Sequence, residues 1–248
     1  MSDEFASEDP AAKGYIVDGR YRLIGTIGQG AFGVVWDAEH VATRQPVALK
    51  IAHVRLVGDE SALERFRREA RALEAIDHPA VVGIVDVGTH EGRAFVAMER
   101  LYGQSLLAYF GSADTTRAER LQRLEEVLPP LAAAHAKGFV HRDLKPENLF
   151  LTAEGIRVLD FGLTKQAAEC GITQSGTTLG TPQYMSPEQA GDAKHVGPAA
   201  DVWAIGVMVF QVFSEGGLPY RGKNAGEVLA ALASDRRQAV PPHRPRSC

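Results

Sequence analysis

His141-Arg142-Asp143-Leu144-Lys145-Pro146-Glu147-Asn148, followed by Asp160-Phe161-Gly162, is the stretch of this 248-residue chain that decides its fold. The two runs stand twelve positions apart, counted from Asn148 to Asp160, with short strand patterns around Leu149 and Val158 between them. An aspartate, a lysine and an asparagine lie close together on a proline-containing segment, and a second aspartate comes after the strands. Chance is a poor explanation for these residue types at this spacing.

Towards the N-terminus the text is strand-like: Tyr21 to Gly28, then Gly33 to Val41, then Pro46 to Val54, with glycines at the first join and Ala-Thr-Arg-Gln at the second. The first join contains Gly28-Gln29-Gly30-Ala31-Phe32-Gly33-Val34-Val35. In a dinucleotide-binding fold such a G-x-G-x-x-G would open a helix. Here β-branched residues continue beyond Gly33, so it joins strand to strand and fits either a backbone cradle for phosphate or an ordinary glycine hairpin. Val47-Ala48-Leu49-Lys50 places a lysine among apolar residues, where it needs a partner unless strand alternation turns it to solvent. Leu63, Phe66, Ala70, Leu73 and Ile76 recur at helical spacing over Ala62 to Ile76, and Glu69 on that helix is the candidate partner. Two more strands, over Ala80 to His90 and Arg93 to Arg100, complete an expectation of five strands and one helix.

Beyond Gly103 helical patterns take over: Ser105 to Phe110, Ala118 to Lys137, Ala200 to Phe213 and Ala225 to Ser234. Pro129 and Pro130 fall inside the second of these, so a kinked or split helix is expected. A strand-rich part followed by a helix-rich part implies two lobes joined near Glu99 to Gly103.

The glycine loop, Val47 to Lys50, His141 to Asn148 and Asp160 to Gly162 together match, in order, the motif set of protein kinases. From about Tyr21 to Ser234 the chain resembles a bacterial eukaryotic-like (Hanks-type) serine/threonine protein kinase. The resemblance implies an α+β, bilobal fold: an N-lobe over 21–101 with a five-stranded antiparallel sheet and one helix, and a mainly α-helical C-lobe over 102–235. It further implies transfer of the γ-phosphate of ATP to Ser or Thr hydroxyls of proteins, with two Mg²⁺ ions. Lys50, oriented by Glu69, would hold the α- and β-phosphates, and Asn148 and Asp160 would be the metal ligands. Asp143 would accept the proton of the attacking hydroxyl, with Lys145 neutralising charge beside it. Ile27, Gly28, Gln29, Gly30, Ala31, Phe32 and Gly33 would cover the nucleotide, with Val35 and Ala48 over the adenine. Met98 would be the gatekeeper, and the backbone of Glu99 and Leu101 would meet the adenine edge. Asp201 and Trp203 would anchor the catalytic loop from a buried helix. Thr177 and Thr178, in a segment resembling an activation loop, are either phosphosites paired with Arg142 or plain loop residues; Thr181 would bond Asp143 and Lys145. Pairing of two copies through the N-lobe is a further implication.

Composition sets limits on other functions. Counting 27 basic against 31 acidic side chains gives a formal charge of −4, too few cations for a nucleic-acid or polybasic membrane face. The longest apolar run, Val202 to Phe213, is shorter than the roughly 20 residues a bilayer demands. The two cysteines, Cys170 and Cys248, form no metal or disulfide pattern, which fits a reducing, cytoplasmic setting. Residues 1–20, above all the first fourteen, read as a disordered acidic leader, and 236–248 as an irregular tail. Set against the resemblance, a C-lobe shortened by the last helices of the family is expected, which would leave Glu188 of Ser186-Pro187-Glu188, where the family has Ala-Pro-Glu, as a buried carboxylate without its arginine. The competing reading is therefore a catalytically impaired, truncated nucleotide-binding or interaction module, in effect a pseudokinase.

Overall fold

The computed structural model describes residues 13–30, 33–55, 75–161, 182–191 and 196–239. The chain divides into two compact units, the first holding residues up to Glu74 and Gly83–Leu101, the second holding Ala75–Val82 and most of the chain from Tyr102 onward.

In the first unit lie six strands: β1 (Ile16–Val17), β2 (Tyr21–Gly30), β3 (Gly33–His40), β4 (Pro46–Arg55), β5 (Ile84–His90) and β6 (Arg93–Glu99). They form one antiparallel sheet in the order β1-β2-β3-β4-β6-β5. Side chains alternate between the faces of a strand. Val34, Trp36 and Ala38 of β3 therefore join Val47, Leu49 and Ile51 of β4, Tyr21 and Leu23 of β2 and Phe95 and Ala97 of β6 in one buried cluster. The sixth strand corrects the sequence reading, because residues 13–20 are not a disordered leader. Ile16 and Val17 pair with Arg22 and Tyr21, Val17 is 1% exposed, and Gly14 N donates to Leu23 O at 2.8 Å. The helix expected over Ala62 to Ile76 lies, up to Glu74, outside the described residues.

The second unit carries α1 (Leu106–Gly111), α2 (Arg117–Glu125), α3 (Leu128–Ala136), α4 (Pro187–Gly191), α5 (Ala199–Phe213) and α6 (Ala225–Ala233). A small antiparallel sheet joins β7 (Gln104–Ser105), β8 (Leu149–Thr152) and β9 (Gly155–Val158). The helical pattern over Ala118 to Lys137 is split into α2 and α3. Pro129 and Pro130 sit in the first turn of α3, where a missing N–H leaves no intrahelical bond unmade, so the chain restarts a helix instead of bending one. Upstream, Thr116 and Glu119 cap α2 reciprocally through side chain and backbone. Helix α5 is apolar along most of its length, and its Ala200, Asp201, Ala204, Val207, Met208 and Val212 are buried. Among the described residues no helix is long and apolar enough to cross a membrane.

Candidate functional site

The residues singled out from the sequence fall in both units. In the second unit the chain between α3 and β8 runs through His141 to Asn148 and ends in a 3₁₀ turn over Pro146–Asn148. Lys145 Nζ donates to Asp143 Oδ2 at 3.0 Å, and Asn148 Nδ2 donates to the same oxygen at 3.2 Å and to the Asp143 carbonyl at 2.8 Å. Both charged side chains are largely buried, 13% exposed for Asp143 and 16% for Lys145. One carboxylate oxygen of Asp143 is thus held by two donors, while Oδ1 has no hydrogen-bond partner among the described residues. The Asn148 amide, with its nitrogen committed, keeps Oδ1 as an acceptor.

Asp201, at the start of α5, fixes the loop from beneath. Its carboxylate is 1% exposed and accepts His141 N at 2.8 Å, Arg142 N at 2.9 Å and His135 Nε2 at 2.7 Å. A buried carboxylate is tolerated when donors satisfy it, and here two of the three are backbone amides of the loop itself. Trp203 takes no part in that anchoring; its ring stacks on Tyr220 with centroids 6.1 Å apart.

His141 is wholly buried and ties the two motifs together. Asp143 N donates to its Nδ1 at 3.3 Å, so Nε2 carries the proton and donates to Leu159 O at 2.7 Å. Leu159 N donates in turn to Asn148 O at 2.9 Å, and the Phe161 ring lies 4.8 Å from the His141 ring. Asp160 is therefore flanked by two anchored neighbours. It adopts φ +54°, and Arg142 adopts φ +62°. Left-handed backbone at a residue with a side chain costs on the order of 1–3 kcal/mol, and such residues concentrate where a site needs them held.

Further along, Tyr184 lies in a 3₁₀ turn over Pro182–Tyr184 and donates through its hydroxyl to Gln211 Oε1 at 3.0 Å. Burial, reinforced by the charge of Glu147, raises its phenol far above the ordinary value. Glu188 is exposed, which corrects the expectation of a buried, unpaired carboxylate.

In the first unit, register sets the candidate nucleotide residues. Val35 pairs with Lys50 and Asp37 with Ala48 across β3–β4, while Ala48 pairs with Met98 and Lys50 with Val96 across β4–β6. Directly opposed residues share a face. Val35, Ala48, Lys50 and Met98 thus lie together on the face opposite the buried cluster. Ile27 is 44% exposed at a β-bulge between Thr26 and Gly28. Gly33 has a structural reason to be glycine: a Cβ there would lie 2.2 Å from the Ile51 carbonyl oxygen, whereas at Gly28 it would meet only Val35 Cβ at 3.8 Å. Glu99 N donates to Gly83 O at 2.9 Å and Glu99 Oε1 accepts from Gly83 N at 2.8 Å. Arg100 donates through Nε to Asp37 Oδ1 at 2.8 Å and through Nη1 to the Leu101 carbonyl. Gln29 and Gly30 end β2. Ala31, Phe32, Glu69, Thr177, Thr178 and Thr181 lie outside the described residues, so the pairing of Lys50 with Glu69 and the activation-loop hydroxyls do too.

Sequence reasoning missed the bracing of Glu99 by Gly83, the Arg100–Asp37 ion pair and the hydrogen bond that Gln189 Nε2 donates to the Arg142 carbonyl. The last had a visible signal, since Ser186-Pro187-Glu188-Gln189 has the S-x-x-Q form of a helix capping box.

The second unit thus holds Asp143, Lys145 and Asn148 together on one anchored loop, the first sets Val35, Ala48, Lys50 and Met98 on one sheet face, and the chain matches the protein kinase domain family over residues 21–242. The chain belongs to that family. It is 40% identical over 226 residues to the serine/threonine-protein kinase pkn2 of Myxococcus xanthus, covering 88% of this chain and 27% of that one. It is 37% identical over 226 residues to the serine/threonine-protein kinase PknL of Mycobacterium bovis, covering 90% and 55%. With the probable serine/threonine-protein kinase PknB of Lactococcus lactis it shares 35% identity over 215 residues, covering 86% and 34%. The chain therefore spans between about a quarter and just over half the length of these relatives. Protein kinase domains use ATP and Mg²⁺.

Proposed function

We propose that this chain is the catalytic domain of a protein serine/threonine kinase, which transfers the γ-phosphoryl group of ATP to Ser or Thr hydroxyls of proteins. The observation that carries the reading is the Asp143 carboxylate. One oxygen is held by Lys145 and Asn148, and the other, without a hydrogen-bond partner among the described residues, is the one that accepts a proton. Phosphoryl transfer asks the protein mainly for position and charge, because the transition state is loose and its charge is spread over the phosphoryl oxygens. Asp143 orients the attacking hydroxyl and takes its proton. Lys145, already against Asp143, supplies positive charge beside the transferred group.

The donor set suits Mg²⁺, which prefers oxygen and takes one or two protein ligands along with phosphates and water. The Asn148 Oδ1 and the Asp160 carboxylate meet that requirement, and among the described residues no larger cage of His, Cys, Asp or Glu exists. When bound, two Mg²⁺ ions neutralise phosphate charge. On the sheet face of the first unit, Lys50 holds the α- and β-phosphates, Val35 and Ala48 cover the adenine, and Met98 borders it. The N–H of Glu99 is committed to Gly83, so on this reading Glu99 meets the adenine edge through its carbonyl and Leu101 through its amide. The glycine segment from Ile27 to Gly33 covers the phosphates, residues 21–101 form the ATP-binding lobe, and 102–235 form the catalytic lobe. Autophosphorylation at Thr177 or Thr178, self-association through the 21–101 lobe and a cytoplasmic setting belong to the same reading and are supported by the resemblance.

Incubation of the purified chain with γ-labelled ATP and Mg²⁺, with and without a general Ser/Thr substrate protein, tests this. Phosphate on serine or threonine, located by mass spectrometry and lost on chelation of Mg²⁺, is the expected result. Tight Mg·ATP binding without any transfer contradicts it and favours the impaired, nucleotide-binding module.

A further inference from the structure

Ser186 stands where the family motif has alanine, and the structure shows what the hydroxyl does. Ser186 is wholly buried, Gln189 N approaches its Oγ at 3.4 Å, and Ser186 N donates to Gln189 Oε1 at 3.2 Å. This is the reciprocal arrangement of a capping box, with Pro187 at the first helical position. The box fixes the Gln189 amide: its oxygen is taken by Ser186, so its nitrogen points the other way. That nitrogen, Nε2, donates to the Arg142 carbonyl at 2.7 Å.

Arg142 precedes Asp143 directly and holds a left-handed backbone at φ +62°. Its two peptide groups are gripped from different elements, the N–H by Asp201 Oδ1 of α5 and the carbonyl by Gln189 of α4. The carbonyl bonded to Gln189 belongs to the peptide whose N–H is that of Asp143. Rotation of this peptide would swing Asp143 away from Lys145 and Asn148.

We infer that Gln189 is a positioning residue for Asp143, oriented by Ser186, and that it couples the Ser186–Gln189 turn to the catalytic loop through the Arg142 carbonyl. The inference rests on the kinase reading above. The side-chain bonds of Gln189 run to Ser186 N and the Arg142 carbonyl, so its effect is expected on the turnover step and not on nucleotide affinity.

The test is steady-state phosphotransfer by the full chain carrying Gln189→Met, which keeps length and loses both hydrogen bonds, with amide hydrogen exchange of the segment covering Arg142 and Asp143. A lost hydrogen bond of ordinary net strength corresponds to a fall in kcat of about fivefold to tenfold. KM for ATP is expected to stay within about twofold, and exchange of the segment to accelerate. Wild-type kcat and exchange in this variant, or a loss confined to KM for ATP, would overturn the inference. Ser186→Ala removes only the Oγ acceptor of Gln189 N and keeps the Ser186 N–H that holds Gln189 Oε1, so it is the control expected to retain most of kcat. Should Gln189→Met not fold, Gln189→Glu carries the test, since it keeps the acceptor for Ser186 N and loses the donor to the Arg142 carbonyl, and wild-type kcat and exchange there would equally overturn the inference. Hydrogen exchange separates the two levels of the account: if the unsubstituted chain transfers no phosphate the kinase reading fails, while exchange still decides whether Gln189 holds the loop.

Discussion

Replacing Asp201 by asparagine removes one charge and one acceptor from a buried side chain that holds three donors. In the native structure Oδ2 accepts from His135 Nε2 at 2.7 Å and His141 N at 2.8 Å, and Oδ1 accepts from Arg142 N at 2.9 Å. An asparagine in the same place has one oxygen. If that oxygen takes the Oδ2 position, its amide nitrogen faces the Arg142 N–H, donor against donor; the other orientation strands two donors. At 1% exposure no water replaces the lost bond. Each unsatisfied buried group costs about 1–3 kcal/mol, and at least two are created, the Arg142 N–H and the new amide N–H. A total near 3 kcal/mol, at about 2–4 °C per kcal/mol for a domain of this size, lowers the thermal midpoint by about 6–12 °C. The released amide is that of the residue with φ +62°, so the loop carrying Asp143 loses its support as the domain loses stability. Calorimetric unfolding at neutral pH gives the midpoint, and phosphotransfer measured well below both transitions gives the effect on turnover, expected to exceed tenfold. A midpoint within 2 °C of the native value, together with unchanged turnover, would refute the claim that Asp201 holds the loop through its carboxylate.

Gly33→Ala places a Cβ 2.2 Å from the Ile51 carbonyl oxygen and forces β3 from β4 two residues before the Val35–Lys50 pair. Overpacking of this kind costs about 1–3 kcal/mol, and weaker ATP binding by calorimetry is expected alongside. Gly28→Ala, with its nearest contact at 3.8 Å, is the milder control. At the start of α2 the Thr116 backbone N–H, then its side chain, hold the Glu119 carboxyl below the ordinary glutamate range. Because the folded value is depressed, the cap contributes above the unfolded value and is lost as pH falls through the folded one. Glu119→Gln is expected to flatten that acid limb in pH-dependent unfolding, and an unaltered limb contradicts it. Asp160→Asn is expected to weaken the Mg²⁺-dependent part of ATP binding, read by titration with and without the metal, while Mg²⁺-independent binding persists.

Much of the molecule could be read from the sequence because its signals are local. The alternation in β3 and β4 depends on neighbouring residues, and Pro129 with Pro130 announced a break in the helical pattern. Asp143, Lys145 and Asn148 sit on one short loop, so their association comes from spacing. The features that escaped depend on contacts distant in sequence. Strand β1 is only two residues long and exists because Tyr21 and Arg22 pair with it, which no periodicity reveals. The close approach of β3 to β4 at Gly33 is a fact of the folded sheet and gives the third glycine of the loop a structural reason that its motif did not show. Gln189 bonds a carbonyl 47 positions earlier, so its capping pattern was legible but its target was not.

On the proposed function, Asp143 serves as the proton acceptor in transfer of the ATP γ-phosphoryl group to a protein hydroxyl. Single-turnover phosphotransfer by the native chain and by Asp143→Asn, with Mg·ATP affinity determined in parallel, decides whether it does. A positioned proton acceptor contributes about 10²–10⁴-fold, so the variant is expected to lose at least a hundredfold in rate while binding Mg·ATP as before. Transfer at the native rate by Asp143→Asn would contradict the account.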